Sequence, residues 1–223
     1  MELAKPALDV GLYTNEIDAM LAFWQEQVHV PYSELLKVGG GLHQHRHAIG
    51  DSVLKVNNSR EPVSQDNPTG LSTLEVYSDA VDSRIELLDP DGNEVWMSPQ
   101  SDAPGQNLTL HMTVNDLAAS KRFYGEVLGL SSDGANTFQV GASRIKLQEG
   151  VIKPFERVAL GYRYMTMQVF DVVGTHAEIL AKGGREGSAP VRLGDVAYIS
   201  FVQDPDGNWI EISQRKSITG SLA

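Results

Sequence analysis

The sequence predicts an α+β fold built from repeated strand–helix–strand–strand units, and three observations carry the prediction. The first is the stretch Asn107–Leu130, in which Leu108, Leu110, Met112 and Val114 alternate with Thr109, His111 and Thr113. That is the period-two pattern of a half-buried strand. Asn115 and Asp116 then offer helix-capping oxygens, and Leu117, Ser120, Phe123, Tyr124 and Val127 follow at helical spacing up to Gly129. The second is an internal repeat: Leu8, Asn15, Phe23 and Glu26 recur without a gap as Leu108, Asn115, Phe123 and Glu126. The third is the pentapeptide DPDGN, present at 89–93 and again at 204–208. Asp-Gly suits a tight turn between strands, because glycine accepts positive φ at no steric cost.

The elements follow in chain order. Residues 8–14 form a strand, and a helix runs from Asn15 or Glu16 through Phe23 and Trp24 until Pro31 stops it. A triple-glycine loop leads to a strand carrying His43, His45 and His47 on one face, with Gly50-Asp51 turning into the strand 52–56. The polar loop 57–70 precedes a strand at 71–77. Only a short segment separates that strand from the first DPDGN and a strand at 94–97, so a second unit here has lost most of its helix. Residues 98–106 read as a linker. They divide the chain into a degenerate half, 1–100, and a better-kept half, 101–223, whose cup is expected to hold the site. In the second half a hairpin spans 137–147. A strand at 161–170 leads to a helix capped by Asp171, and two strands flank the second DPDGN. Helices on one face leave the other face of each twisted sheet free to curl into a cup.

Bulk properties exclude several functions. The 223 residues carry a net charge of −11, which disfavours a nucleic-acid partner. Without cysteine there is no disulfide, thiolate nucleophile or cysteine metal site. No apolar run reaches the ~20 residues of a membrane span, and the first residues lack a signal-peptide pattern, so a cytoplasmic protein is expected.

The motifs Val114-x-Asp116-Leu117…Ser120…Phe123-Tyr124…Leu128-Gly129 and Asp204–Asn208…Ile210-Glu211-Ile212 resemble those of the vicinal oxygen chelate superfamily. That group includes glyoxalase I, the bleomycin-binding proteins and extradiol dioxygenases. The resemblance covers nearly the whole chain and implies paired βαβββ modules forming cups. It also implies a small-molecule substrate, a homodimer, and one divalent metal (Fe, Mn, Ni, Zn or Co), or none in the bleomycin-binding branch. Glu211 stands where the family's last-strand glutamate stands. The other ligand positions depart from the pattern: Thr109, Tyr164 and Lys146 in the second half, Asp9, Lys55, Leu71 and Trp96 in the first.

Glu211 lies between Ile210 and Ile212, so its carboxylate should enter a cup. It is a metal ligand, a base, or half of an ion pair with a lysine. His111 is displaced from the ligand position by two residues, ~6–7 Å along the strand; it is a metal ligand with Glu211, an acid–base group, or a core histidine. Tyr164 is expected to orient substrate. Thr109, Thr166 and Gln168 share the inward faces and join Arg46, His45 and His47 as substrate-binding candidates. Lys55 and Lys146 raise the alternative of a metal-free cup held by ion pairs, which would suit a protein that binds a small molecule without converting it.

Overall fold

The computed structural model describes residues 1–134 and 136–222. The first unit comprises β1 (Leu3–Thr14), α1 (Ile17–Ala22), β2 (Tyr32–Gly39), β3 (Leu42–Ile49) and β4 (Ser52–Ser59). The second has β5 (Leu71–Ser78), β6 (Ile85–Leu88) and β7 (Glu94–Pro99), with no helix. The third has β8 (Leu108–Val114), α2 (Leu117–Arg122), β9 (Ser131–Gly134), β10 (Thr137–Val140) and β11 (Ser143–Glu149). The fourth has β12 (Gly161–Val169), α3 (Val172–Ala181), β13 (Arg185–Leu193), β14 (Ala197–Gln203) and β15 (Trp209–Arg215), followed by the turn α4 (Lys216–Thr219). These are the paired modules implied by the motifs, with the second one degenerate.

The pairing between units differs from the expectation that residues 101–223 close a cup by themselves. One eight-stranded sheet has the order β13-β14-β15-β12-β1-β4-β3-β2, and a seven-stranded sheet has the order β6-β7-β5-β8-β11-β10-β9. The first unit therefore joins the fourth through antiparallel β1 and β12, and the second joins the third through antiparallel β5 and β8. Connection length gives the physical reason. Residues 100–107 are a short link that keeps β7 and β8 in one sheet, as short connections do. The longer segments 60–70 and 150–160 cross between sheets side by side. Leu160 N donates to Ser64 O (3.0 Å), and buried Arg163 donates to the carbonyls of Asn67 (2.9 Å) and Glu156 (3.2 Å).

The repeated residues do the same work twice. Asp116 and Asp171 cap α2 and α3 by accepting from Ala119 N and Gly174 N, each at 2.9 Å. Both α1 and α2 widen into a π turn at the same place, with Val28 N donating to Phe23 O (3.1 Å) and Leu128 N to Phe123 O (2.9 Å). This turn sinks Phe23-Trp24 and Phe123-Tyr124 into one contiguous core with Leu8, Val10, Leu12, Leu108, Leu110 and Met112. Each such side chain contributes on the order of 1.5–3 kcal/mol by burial. In the second DPDGN turn, Asp204 accepts from the backbone of Asp206 (3.0 Å) and Asn208 (2.8 Å) and from the Tyr124 hydroxyl (3.0 Å), locking the third unit to the fourth.

Candidate functional site

Two cups face away from the helices, one per sheet. In the eight-stranded sheet the inward positions of four central strands converge. Parallel pairing of β1 with β4 puts Gly11 beside Lys55, antiparallel pairing with β12 puts Gly11 beside Tyr164, and β15 brings Glu211 beside Thr166. Gly11 is required here, because a Cβ would lie 2.2 Å from the Tyr164 ring. The base of the cup is a closed triangle. Lys55 Nζ donates to Glu211 Oε2 (2.9 Å) and Thr166 Oγ1 (2.6 Å), and the threonine hydroxyl donates to the same carboxylate oxygen (2.7 Å). Burial pushes the Glu211 carboxyl up, but the Lys55 charge and the hydrogen bonds from Lys55 and Thr166 outweigh it and hold the group below its ordinary range.

Tyr164 stands beside this triangle. Its hydroxyl accepts from Asn57 Nδ2 (3.1 Å) and Gln44 Nε2 (3.3 Å), which leaves its own proton to donate. Burial, then the charge of Glu211, raises its pKa well above the usual value, so the proton stays on. Above the triangle lies a cavity of about 150 Å³ walled by Leu42, Ile199 and Phe201. Its charged lining residues are three cations, Lys55, Arg157 and Arg215, against Glu211 alone. The Arg157 guanidinium sits 4.2 Å from the Phe201 ring centroid and 4.7 Å from that of Trp209.

The cup of the seven-stranded sheet has different chemistry. His111 Nε2 lies 2.8 Å from Glu75 Oε2, and the other Glu75 oxygen accepts from Ser98 (2.6 Å) and Arg84 (2.9 Å). The His111 ring meets Trp96 edge-on at 4.8 Å between centroids. His111 and Trp96 border a cavity of about 610 Å³.

Residues 106–212 match the model of the Glyoxalase/Bleomycin resistance protein/Dioxygenase superfamily. That match takes in 107 of the 223 residues, all of them in the second half of the chain. A protein from Vibrio parahaemolyticus named "Probable lactoylglutathione lyase" is 29% identical over 134 residues, covering 53% of this chain and 96% of the relative. The crystal structure of glyoxalase I from Zea mays superposes with a TM-score of 0.78 at 15% identity, over 99% of this chain and 96% of that one. A mutant of the same maize enzyme gives 0.77 at 14% identity, over 100% and 96%. At such identities the two structures establish the fold alone.

The superfamily's ligand positions do not fit a metal in this chain. In the eight-stranded sheet they hold Asp9, Lys55, Tyr164 and Glu211, and the Lys55 ammonium occupies the centre where the carboxylate points. Asp9 turns instead to Lys5 and to Val53 N (2.9 Å). In the other sheet the positions hold Leu71, Trp96, Thr109 and exposed Lys146. No group of three or more histidines and carboxylates among the described residues is arranged around one point.

Of the residues singled out from sequence, Glu211, Tyr164 and Thr166 meet in one cup. His111 does not join them: it lies in the other sheet, so His111 and Glu211 are not a ligand pair. Thr109 is in that second sheet as well, bonded to the Tyr77 hydroxyl (2.9 Å). Gln168 is buried and does not line the cavity, and neither of its amide atoms has a hydrogen-bond partner among the described residues. Arg46 pairs with Glu34 at 2.6 Å and does not reach the cavity. His45 and His47 face away from the cup, because the strand pleat puts Gln44 on the cavity side; both pack on Tyr32 instead. Sequence reasoning missed Glu75, Arg157 and Arg215. Glu75 had a usable signal, since Leu74-Glu75-Val76 repeats the apolar bracketing that marked Glu211.

Proposed function

We propose that the protein acts on a compact, oxygen-bearing organic anion in the cup of the eight-stranded sheet, using Lys55 where relatives of this superfamily are expected to use a metal. The observation that carries this reading is the Lys55–Glu211–Thr166 triangle at the base of a cavity whose remaining charges are Arg157 and Arg215. A preorganised ammonium stabilises negative charge developing on a substrate oxygen, the electrostatic service that a Lewis-acid metal would otherwise give. Tyr164 donates its free proton to the same oxygen or a neighbouring one. Arg157, braced on two aromatic rings, takes the ligand's carboxylate. The enclosed space is smaller than the roughly 300–1,000 Å³ of drug-sized pockets, which favours a ligand of few carbons. The similarity to a relative named as a lyase supports chemistry of the lyase or isomerase kind.

A second reading, a protein that holds its ligand without turning it over, has one observation in its favour. Glu211 is held below the ordinary carboxylate range and Tyr164 above the ordinary phenol range, so neither is matched to proton transfer near neutral pH. One experiment separates the readings. Chelator-treated protein is titrated with lactate, pyruvate, glycolate and malate while Trp209 fluorescence and substrate NMR spectra are followed. Metal-free binding that falls away in Lys55→Gln supports the site, and a changing ligand spectrum adds turnover. Absence of binding to any of these acids, or binding only after metal is added, contradicts the proposal.

A further inference from the structure

The cavity of the seven-stranded sheet belongs to neither reading above. Thr73 and Thr113 line it beside His111 and the half-buried Trp96, while Gln148, Glu94 and Lys153 on its lining are exposed. His111 is fixed by a carboxylate. Burial pushes Glu75 up, but the hydrogen bonds from His111 and Ser98 and the charges of His111 and Arg84 bring it down to about 2. An ionised carboxylate only accepts, so His111 Nε2 carries a ring hydrogen, and whenever the ring is uncharged Nδ1 carries a lone pair. Nδ1 makes no hydrogen bond among the described residues, and it is not among the buried unpartnered atoms, so it is reached from the cavity.

We propose that this cup is a second binding site, for an uncharged polyhydroxylated molecule of the sugar or polyol kind, in which His111 Nδ1 accepts a ligand hydroxyl beside Trp96. A neutral ligand follows from the charges. The carboxylate and the ammonium on the lining, Glu94 and Lys153, are of opposite sign and both exposed, so the cavity favours neither an anion nor a cation. Hydroxyls, by contrast, match the threonine and glutamine side chains, and the apolar face of a sugar ring matches the indole. The volume of about 610 Å³ lies within the range of ordinary small-molecule sites.

The test is an NMR titration of the intact chain with glucose, xylose, inositol and glycerol, reading the indole N–H signals of Trp24, Trp96 and Trp209 and the His111 ring nitrogens. Saturable shifts at Trp96 and His111, with Trp24 and Trp209 unmoved, are expected for at least one of the four. His111→Phe fills the same space without an acceptor and should weaken that binding roughly tenfold. His111→Gln should largely retain it, because its amide can donate to Glu75 while its oxygen accepts from the ligand. Shifts centred on Trp209, no shift at Trp96 with any probe, or unchanged affinity in His111→Phe would overturn the proposal. If His111→Phe does not fold, the assignment of the shifted signals in the parent still decides the matter.

Discussion

Lys55 Nζ lies 2.9 Å from Glu211 Oε2, with 2% and 12% of the respective side chains exposed. A pair this buried is costly to break from one side, because the remaining charge has no partner. Lys55→Met should therefore cost about 3–5 kcal/mol, whereas Lys55→Met combined with Glu211→Leu should recover most of that loss. Urea unfolding of the four proteins in the cycle measures this directly. Because the Glu211 pKa is depressed in the folded state, the pair's contribution is present above the ordinary carboxylate pKa and is lost as pH falls through the lower folded value. A Lys55→Met variant as stable as the parent would mean that the ion pair is a surface feature.

Arg157 is exposed, so its removal should leave stability within about 0.5 kcal/mol of the parent. It should nevertheless weaken carboxylate binding by roughly tenfold, with less salt dependence remaining. Fluorescence titrations of Arg157→Ala at two salt concentrations check this, since Trp209 reports the loss of the stacked guanidinium.

His47 is fully buried and neither ring nitrogen has a partner among the described residues. Burial, helped by His45, lowers its pKa from 6.5 to about 4. The folded state thus resists protonation that the unfolded chain accepts. The His47 contribution is complete above pH 6.5 and is lost as pH falls toward 4, a change on the order of 3 kcal/mol. Asp89, raised to about 6 chiefly by burial, acts in the opposite direction over much of that interval. The measurement is therefore a difference. Denaturant midpoints of His47→Leu should fall less steeply than those of the parent between pH 6.5 and 4.

His29 and Gly129 occupy equivalent places after α1 and α2, and both are left-handed, with φ of 60° and 73°. Glycine adopts that conformation freely and histidine does so under strain. His29→Gly should raise stability by about 0.5–1 kcal/mol despite the greater freedom it gives the unfolded chain. Thermal unfolding at neutral pH is a sufficient check.

What could be read from the sequence follows which interactions are local. The repeat, the caps at Asp116 and Asp171, and the inward direction of Glu211 depend on residues a few positions apart, and all appear in the structure. The four strands that the pattern missed, β2, β6, β9 and β13, are the edges of the two sheets. They are mostly exposed on both faces, so burial imposes no alternation on them. Alternation likewise revealed that His43, His45 and His47 share a face, but not which side of the sheet that face is on. The partners of His111 and Lys55 come from units far away in the chain, and only the cross-pairing of units decides them. Arg157 lies in a connecting segment with no periodicity to betray its aim.

The most direct test of the Lys55 account is elemental analysis of untagged protein after incubation with Mn, Fe, Ni, Co and Zn and removal of free metal, with Glu211→Ala beside it. The account predicts far less than one metal per chain in the parent and no difference in the variant. About one metal per chain in the parent, lost in Glu211→Ala, would contradict it and return the cup to metal chemistry.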